Sequence, residues 1–349
     1  MTKRRLIVAV IVLLVIAAVL LWLLWPRDRE VGEAPAPMRA DSADPVERGR
    51  ALVLLADCKA CHTDLGGAEW AGGHSIPTPF GTFFSPNISP DLETGIGGWS
   101  ADDFWRALHN GRGRGGRPLY PAFPYTNFTK MSRNDSDAMY AYLRTLPPVR
   151  QINRPHDLSF PFSQRWLLFA WRALFFRPGV YEANTAHDAE WNRGAYLMQG
   201  VAHCSACHEA RNALGGIQSR DNPSGGLVLS WYAPSLTSSR EAGLQGWKPD
   251  QIVRLLKTGQ ASDQAPARHT AALGPMAEVI YGSLQHVRED ELRAMAVYLE
   301  SLEDSRTLTR GSVTHGVANA ASLERGGHIY MDHCARCHGD NGEGRSPAA

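Results

Sequence analysis

The sequence predicts an all-α chain built from tandem units, and three observations carry that prediction. The run "CKACH", Cys58 to His62, recurs as "CSACH", Cys204 to His208, and as "CARCH", Cys334 to His338. These three copies take all six cysteines of the 349 residues. A helix-like lead-in precedes each copy: "DPVERGRALVLLAD", "DAEWNRGAYLMQGVAH" and "SLERGGHIYMDH". Two copies are then followed by matching stretches, "SPNISPDLETGIGGWSADDFWRALHNGR" and "APSLTSSREAGLQGWKPDQIVRLLKTGQ", and by closing helical patterns, "SDAMYAYLRTL" and "EDELRAMAVYLESL". Self-similarity on this scale marks a repeat architecture. The unit reads helix, C-x-x-C-H run, loop, helix, second loop and helix, made twice and begun a third time.

In chain order, residues 1–5 carry Lys3, Arg4 and Arg5 and precede an uncharged apolar run, Leu6 to Trp25. At about 1.5 Å per residue, that run matches a hydrocarbon core of about 30 Å. The expectation is a transmembrane anchor over 6–25 with a cytoplasmic N-terminus and everything after Trp25 outside. The competing reading is a cleaved signal peptide, whose apolar region runs to about 7–15 residues. Residues 26–43 read as a linker, 44–150 as the first unit, 187–305 as the second, 306–321 as a linker and 322–349 as the start of a third. Asp44 with Pro45, Asp188 and Ser322 are the expected helix starts. Arg48-Gly49, Arg193-Gly194 and Arg325-Gly326 recur inside the lead-in helices. Glycine costs about 1 kcal/mol there relative to alanine, so the pattern predicts a close helix crossing. Between the first two units, 151–186 contains "RWLLFAWRALFFRPG", too short to cross a bilayer. It reads either as an interfacial helix touching a membrane or membrane subunit, or as a helix buried between units.

A C-x-x-C-H run can hold zinc or haem. A structural zinc site needs four protein ligands, and each run offers three, far from the others in sequence. Two cysteines three apart can instead form thioethers to one porphyrin, with the adjacent histidine binding its iron. On this reading Cys58, Cys61 and His62, Cys204, Cys207 and His208, and Cys334, Cys337 and His338 hold three covalently bound haem c groups. Met276, in "GPMAEV" ahead of the second closing helix, is the expected sixth ligand of the second haem, a thioether that raises its potential. His74, His109, His203, His286 and His333 are expected in surface or hydrogen-bonding roles. Charge is nearly balanced, 36 basic against 35 acidic residues, so no field draws the chain to nucleic acid. The local tract "GRGRGGRP", Gly111 to Pro118, reads as a loop whose arginines could face haem propionates.

Beyond the three runs, the strings "PTPFGTFFSPNISPDLETGIGGWS", "LYPAFPYTNFTKMS", "RWLLFAWRALFFRPG" and "LGPMAEVIYGSLQHV" resemble the membrane-anchored triple-haem cytochrome c subunit of periplasmic alcohol, aldehyde and gluconate dehydrogenases. The resemblance implies tandem class I cytochrome c domains after an N-terminal transmembrane helix in a bacterial inner membrane, with the haem domains periplasmic. It also implies an electron-transfer subunit without a substrate pocket of its own. Such a subunit takes electrons from a catalytic dehydrogenase subunit and passes them to ubiquinone or a downstream cytochrome. The alternatives are a peroxidase-like haem enzyme with an open coordination site and a haem subunit of a terminal oxidase. Few residues follow His338, so the third domain is expected to be incomplete. The family's commoner form of "YPAFPY" has methionine where this chain has Phe123. Met131 is the expected replacement as ligand of the first haem, because it lies nearly as far beyond His62 as Met276 lies beyond His208. Measured back from the closing helix, Phe123 takes that place instead.

Overall fold

The computed structural model describes residues 44–217, 224–238, 241, 244, 247–262, 269–302, 319–335 and 340. The first unit runs through α1 (Pro45–Leu55), α2 (Cys58–His62), the hairpin β1 (Ser75–Thr78) and β2 (Gly81–Phe84), α3 (Ala101–Asn110), α4 (Tyr125–Phe128) and α5 (Arg133–Leu143). Then come β3 (Asp157–Leu158) and α6 (Leu167–Phe175). The second unit repeats the plan with α7 (Ala189–Tyr196), a π-helical turn over Leu197–Val201, α8 (Ser205–His208), β4 (Gly226–Val228), β5 (Trp231–Ala233), α9 (Pro249–Thr258), β6 (Gln260–Ser262), β7 (His269–Ala271), α10 (Pro275–Gly282) and α11 (Glu289–Glu300). A separate body, from Arg306 onward, contains α12 (Ala320–His333).

Two parts of the expected fold are corrected. The chain is not all-α: β1, β2 and β3 form an antiparallel sheet, and β4–β5 and β6–β7 form two further hairpins. These strands are too short for a period-2 pattern to register in sequence. Ser75 faces Phe84 across the first hairpin, and the β4–β5 turn places Leu229 and Ser230 at positive φ, as a tight two-residue turn requires. The expected N-terminal transmembrane helix is not shown either: among the described residues no helix is long and apolar enough to cross a membrane. The run 6–25 on which that expectation fell lies outside the described residues.

Capping follows local chemistry. The Asp44 carboxylate accepts from the Val46 amide and the Asp188 carboxylate from the Trp191 amide, each at 2.9 Å. The third lead-in helix starts earlier than expected, at Asn319, whose side chain accepts from the Ser322 amide at 2.8 Å. Ser100 and Asp103 close a capping box on α3, and Gly111 and Gly259 end α3 and α9 at positive φ.

Close helix crossings form at two of the three Arg-Gly pairs. Helix α1 packs on α5, and α7 on α11. A Cβ at Gly49 would stand 1.9 Å from the Ala138 carbonyl oxygen, and one at Gly194 would stand 1.9 Å from that of Ala294. The neighbouring arginine then reaches an acid on the closing helix. Arg48 pairs with Asp135, and Arg193 pairs with Glu291 through two 2.8 Å bonds. At Gly326 a Cβ would meet nothing within 4 Å.

The aromatic helix α6 takes an intermediate position between its two expected roles. Its inner face bridges the units: Arg172 stacks over Tyr125 and Phe176, and the Trp171 indole donates to the Leu214 carbonyl at 2.8 Å. Its outer face leaves Trp166 and Leu174 each 66% exposed.

Candidate cofactor sites

Each C-x-x-C-H run of the first two units folds as a single helical turn entered through a left-handed residue, Asp57 at φ 47° and His203 at φ 41°. That turn sets both cysteines and the histidine on one short segment. Cys58, Cys61, Cys204, Cys207 and Cys334 are free thiols. Burial pushes Cys58 and Cys204 up to about 12 and Cys61 up to about 11. No cluster of three or more metal-binding side chains occurs among the described residues.

The histidines are held alike. His62 Nδ1 lies 2.8 Å from the Pro86 carbonyl oxygen, and His208 Nδ1 lies 2.8 Å from that of Pro234. A carbonyl only accepts, so Nδ1 carries the proton and Nε2 keeps a free lone pair. Burial lowers both imidazole pKa values and keeps the rings neutral. Neutral histidine with an anchored Nδ1–H is the state that ligates iron. The residues therefore fit a covalently attached haem at both runs: two unbridged thiols, one imidazole and a fixed tautomer. Pro86 and Pro234 were not singled out in the sequence, although the matched strings "SPNIS" and "APSLT" contain them. Cys337 and His338 lie outside the described residues.

The second loop of each unit can be aligned by hydrogen bonds. The Leu119 amide donates to the Gly111 carbonyl at 2.8 Å, and the Ala272 amide to the Gly259 carbonyl at 2.8 Å. Counting on from those amides, Phe123 and Met276 coincide, and both are half-buried against the core. From the helix crossings, Ala138 coincides with Ala294, so Met131 falls opposite Val287 and Met139 opposite Met295. Met131 is 0% exposed.

Other expected positions differ in detail. His109 is buried and stacks on Trp105 with centroids 4.4 Å apart. His203 sets its ring edge against Phe128 of the first unit at 5.3 Å. In the glycine-arginine loop, Arg112 donates to the Gly116 carbonyl at 3.2 Å, and Arg165 from the linker donates to that of Pro118 at 2.9 Å.

The two units dock reciprocally around their C-x-x-C-H runs. Helix α4 of the first lies on the π-helical turn before α8, and α10 of the second lies on α2. The Asn127 amide donates to the Gln199 carbonyl at 3.1 Å and to Ser205 Oγ, inside "CSACH", at 2.7 Å. Conversely, the Ser283 hydroxyl donates to the Leu55 carbonyl at 3.4 Å.

Asp57 sits in this junction. Burial, then the negative charge of Glu278, raises its carboxyl to about 7. The folded state thus holds a proton that the unfolded chain releases near pH 4. Stability is retained below pH 4 and declines as pH rises to about 7, by at most about 4 kcal/mol. Asp57→Asn, which tolerates positive φ, is expected to raise the melting temperature at pH 8 and leave it unchanged at pH 4. Equal shifts at both pH values would remove the carboxyl as the cause.

Residues 46–147 match the cytochrome c family. Over 315 residues the chain is 38% identical to the cytochrome c subunit of alcohol dehydrogenase (quinone) from Gluconobacter oxydans, covering 86% of this chain and 64% of that one. It is 37% identical to the gluconate 2-dehydrogenase cytochrome c subunit of Pantoea cypripedii, covering 85% and 69%. It is 41% identical to a nicotinate dehydrogenase subunit of Pseudomonas putida, covering 86% of this chain and only 25% of that one. The chain belongs to the cytochrome c family, whose cofactor is covalently bound haem c. These three relatives are named as subunits of dehydrogenases, and the chain spans from a quarter to about two thirds of their lengths.

Proposed function

We propose that the chain is an electron-transfer subunit. It accepts electrons from a dehydrogenase catalytic subunit on the periplasmic side of a bacterial inner membrane and passes them to ubiquinone or another cytochrome. The observation that carries this reading is the repeated proximal arrangement: two free thiols on one helical turn, with an imidazole whose Nδ1–H is fixed on a proline carbonyl. The names of the relatives support the partner.

Cys58 and Cys61, Cys204 and Cys207, and Cys334 and Cys337 would hold three haems, and His62, His208 and His338 would bind their irons. Met276 would supply a thioether to the second. Bound haem contributes an iron that changes oxidation state with little rearrangement, its potential set by ligands, burial and hydrogen bonds. The chain's own residues keep the imidazoles neutral and oriented through Pro86 and Pro234, and they hold the first two attachment runs against one another through Asn127 and Ser283.

Denaturing gels of the chain, expressed in cells competent for haem attachment, are expected to stain for haem. Quantification should give three equivalents, falling to two in Cys204→Ser/Cys207→Ser. Deleting the chain in its host is expected to abolish substrate-dependent quinone reduction while dye-linked activity of the catalytic partner persists. Recovery of a haem-free chain, or unchanged respiration on alcohols and sugar acids, would refute the reading.

A further inference from the structure

The two haem units differ at one position that matters to iron. Measured from the hydrogen bonds Leu119 N–H to Gly111 and Ala272 N–H to Gly259, the residue corresponding to Met276 is Phe123. Phenylalanine offers no lone pair to a metal.

Among the described residues of the first unit no other thioether replaces it. The described methionines of the first unit are Met131 and Met139, and both are enclosed in the hydrophobic core, at the places of Val287 and Met295. A residue facing a haem-sized cleft keeps some exposure, as His62, His208 and Met276 do, and Met131 keeps none.

Nor does an imidazole or phenolate stand in. Residues 119–130 contain no histidine. His74 pairs through its backbone with Ser85, beside the Pro86 that holds His62, so it shares the proximal side. His109 is stacked on Trp105, and His156 Nδ1 accepts the Phe84 amide at 3.2 Å. The Tyr120 hydroxyl donates to the Phe162 carbonyl at 3.0 Å, and the Tyr125 ring lies beneath Gly111 with its phenol pushed up to about 12 by burial.

We propose that the iron of the first haem takes no sixth ligand from this chain and binds a small exogenous ligand at that position: carbon monoxide when ferrous, cyanide when ferric. Each acts as a lone-pair donor, so binding involves no net oxidation or reduction. The inference rests on the haem reading above, while its test can fail separately.

The experiment is carbon monoxide titration of the reduced, full-length, haem-loaded chain, followed by absorbance and expressed as equivalents per chain. Phe123→Met is expected to lower uptake by one equivalent and to add one methionine–iron charge-transfer band in the oxidised state. Phe123→Leu and Met131→Leu are expected to leave uptake at the wild-type value. Any one of three outcomes overturns the proposal: uptake unchanged in Phe123→Met, uptake lost in Phe123→Leu, or one additional equivalent in Met131→Leu. Haem staining on the same samples separates these results from a failure of the haem assignment itself, which would show as a missing haem.

Discussion

Gly194→Ala is expected to destabilise the second haem unit by about 3 kcal/mol or more, among the larger effects a single methyl group can have. Its Cβ would stand 1.9 Å from the Ala294 carbonyl oxygen and 2.9 Å from Tyr298 Cβ, so the α7–α11 crossing must open. Overpacking a well-packed core costs about 1–3 kcal/mol even where flexible side chains can yield, and here the obstacle is helix backbone. Gly49→Ala meets Ala138 in the same way and should cost a similar amount in the first unit. Gly326→Ala supplies the control. With nothing within 4 Å of its Cβ, it should be neutral or stabilising by up to about 1 kcal/mol, the helix-propensity difference. Chemical denaturation of the haem-loaded variants distinguishes the cases. A Gly194→Ala chain as stable as wild type would mean that the crossing yields easily.

Loss of the acid that meets Arg193 should be comparably severe. Arg193 is 4% exposed along its side chain, and both of its bonds to Glu291 are 2.8 Å. Glu291→Met leaves the guanidinium buried without that carboxylate, which costs about 3–5 kcal/mol when one partner of a buried pair is removed. Replacing both residues with apolar ones of similar volume, as in Arg193→Met/Glu291→Met, should recover most of the loss, because the desolvation cost of both charges disappears together. The exposed pair Arg50–Glu47 behaves differently. Glu47→Ala is expected to change stability by less than about 1 kcal/mol. Urea unfolding of the three variants tests the ordering, and a Glu47→Ala loss as large as that of Glu291→Met would reverse it.

Much of the repeat was legible in residues near one another in sequence. C-x-x-C-H lies within one helical turn, so its spacing alone brings two thiols and an imidazole to one segment. The helix starts at Asp44 and Asp188 are likewise local, since a cap bonds an amide two or three residues away. The Arg-Gly pairs were legible because a glycine inside a helix has a cost that only a close neighbour explains, and α5 and α11 are those neighbours. The same pair at Arg325-Gly326 shows no such neighbour among the described residues.

Other features depended on contacts that chain spacing does not encode. The small sheets arise from strands of two to four residues whose pairing is set by turns and by the loops around them. Helix α6 could be read from sequence as interfacial or as buried between units, and only packing showed that Arg165 and Arg172 turn inward and Trp166 and Leu174 outward.

The second loop shows the division most sharply. Counting from the histidines sets Met131 beside Met276, whereas the hydrogen-bond register sets Phe123 there. The reason is the β6–β7 hairpin between Gly259 and Ala272, which is longer than its counterpart in the first unit, where only Arg112 and Pro118 pair, together with a shorter path from Phe123 to its closing helix. Insertions change the count along the chain while leaving the helix-cap carbonyls and the crossing glycines in place. By itself, then, the sequence determined where two thiols and an imidazole share one segment, because that chemistry is local. Which side chain stands across the loop from it was decided only by the tertiary structure, because that position is set by hydrogen bonds and helix contacts between distant residues.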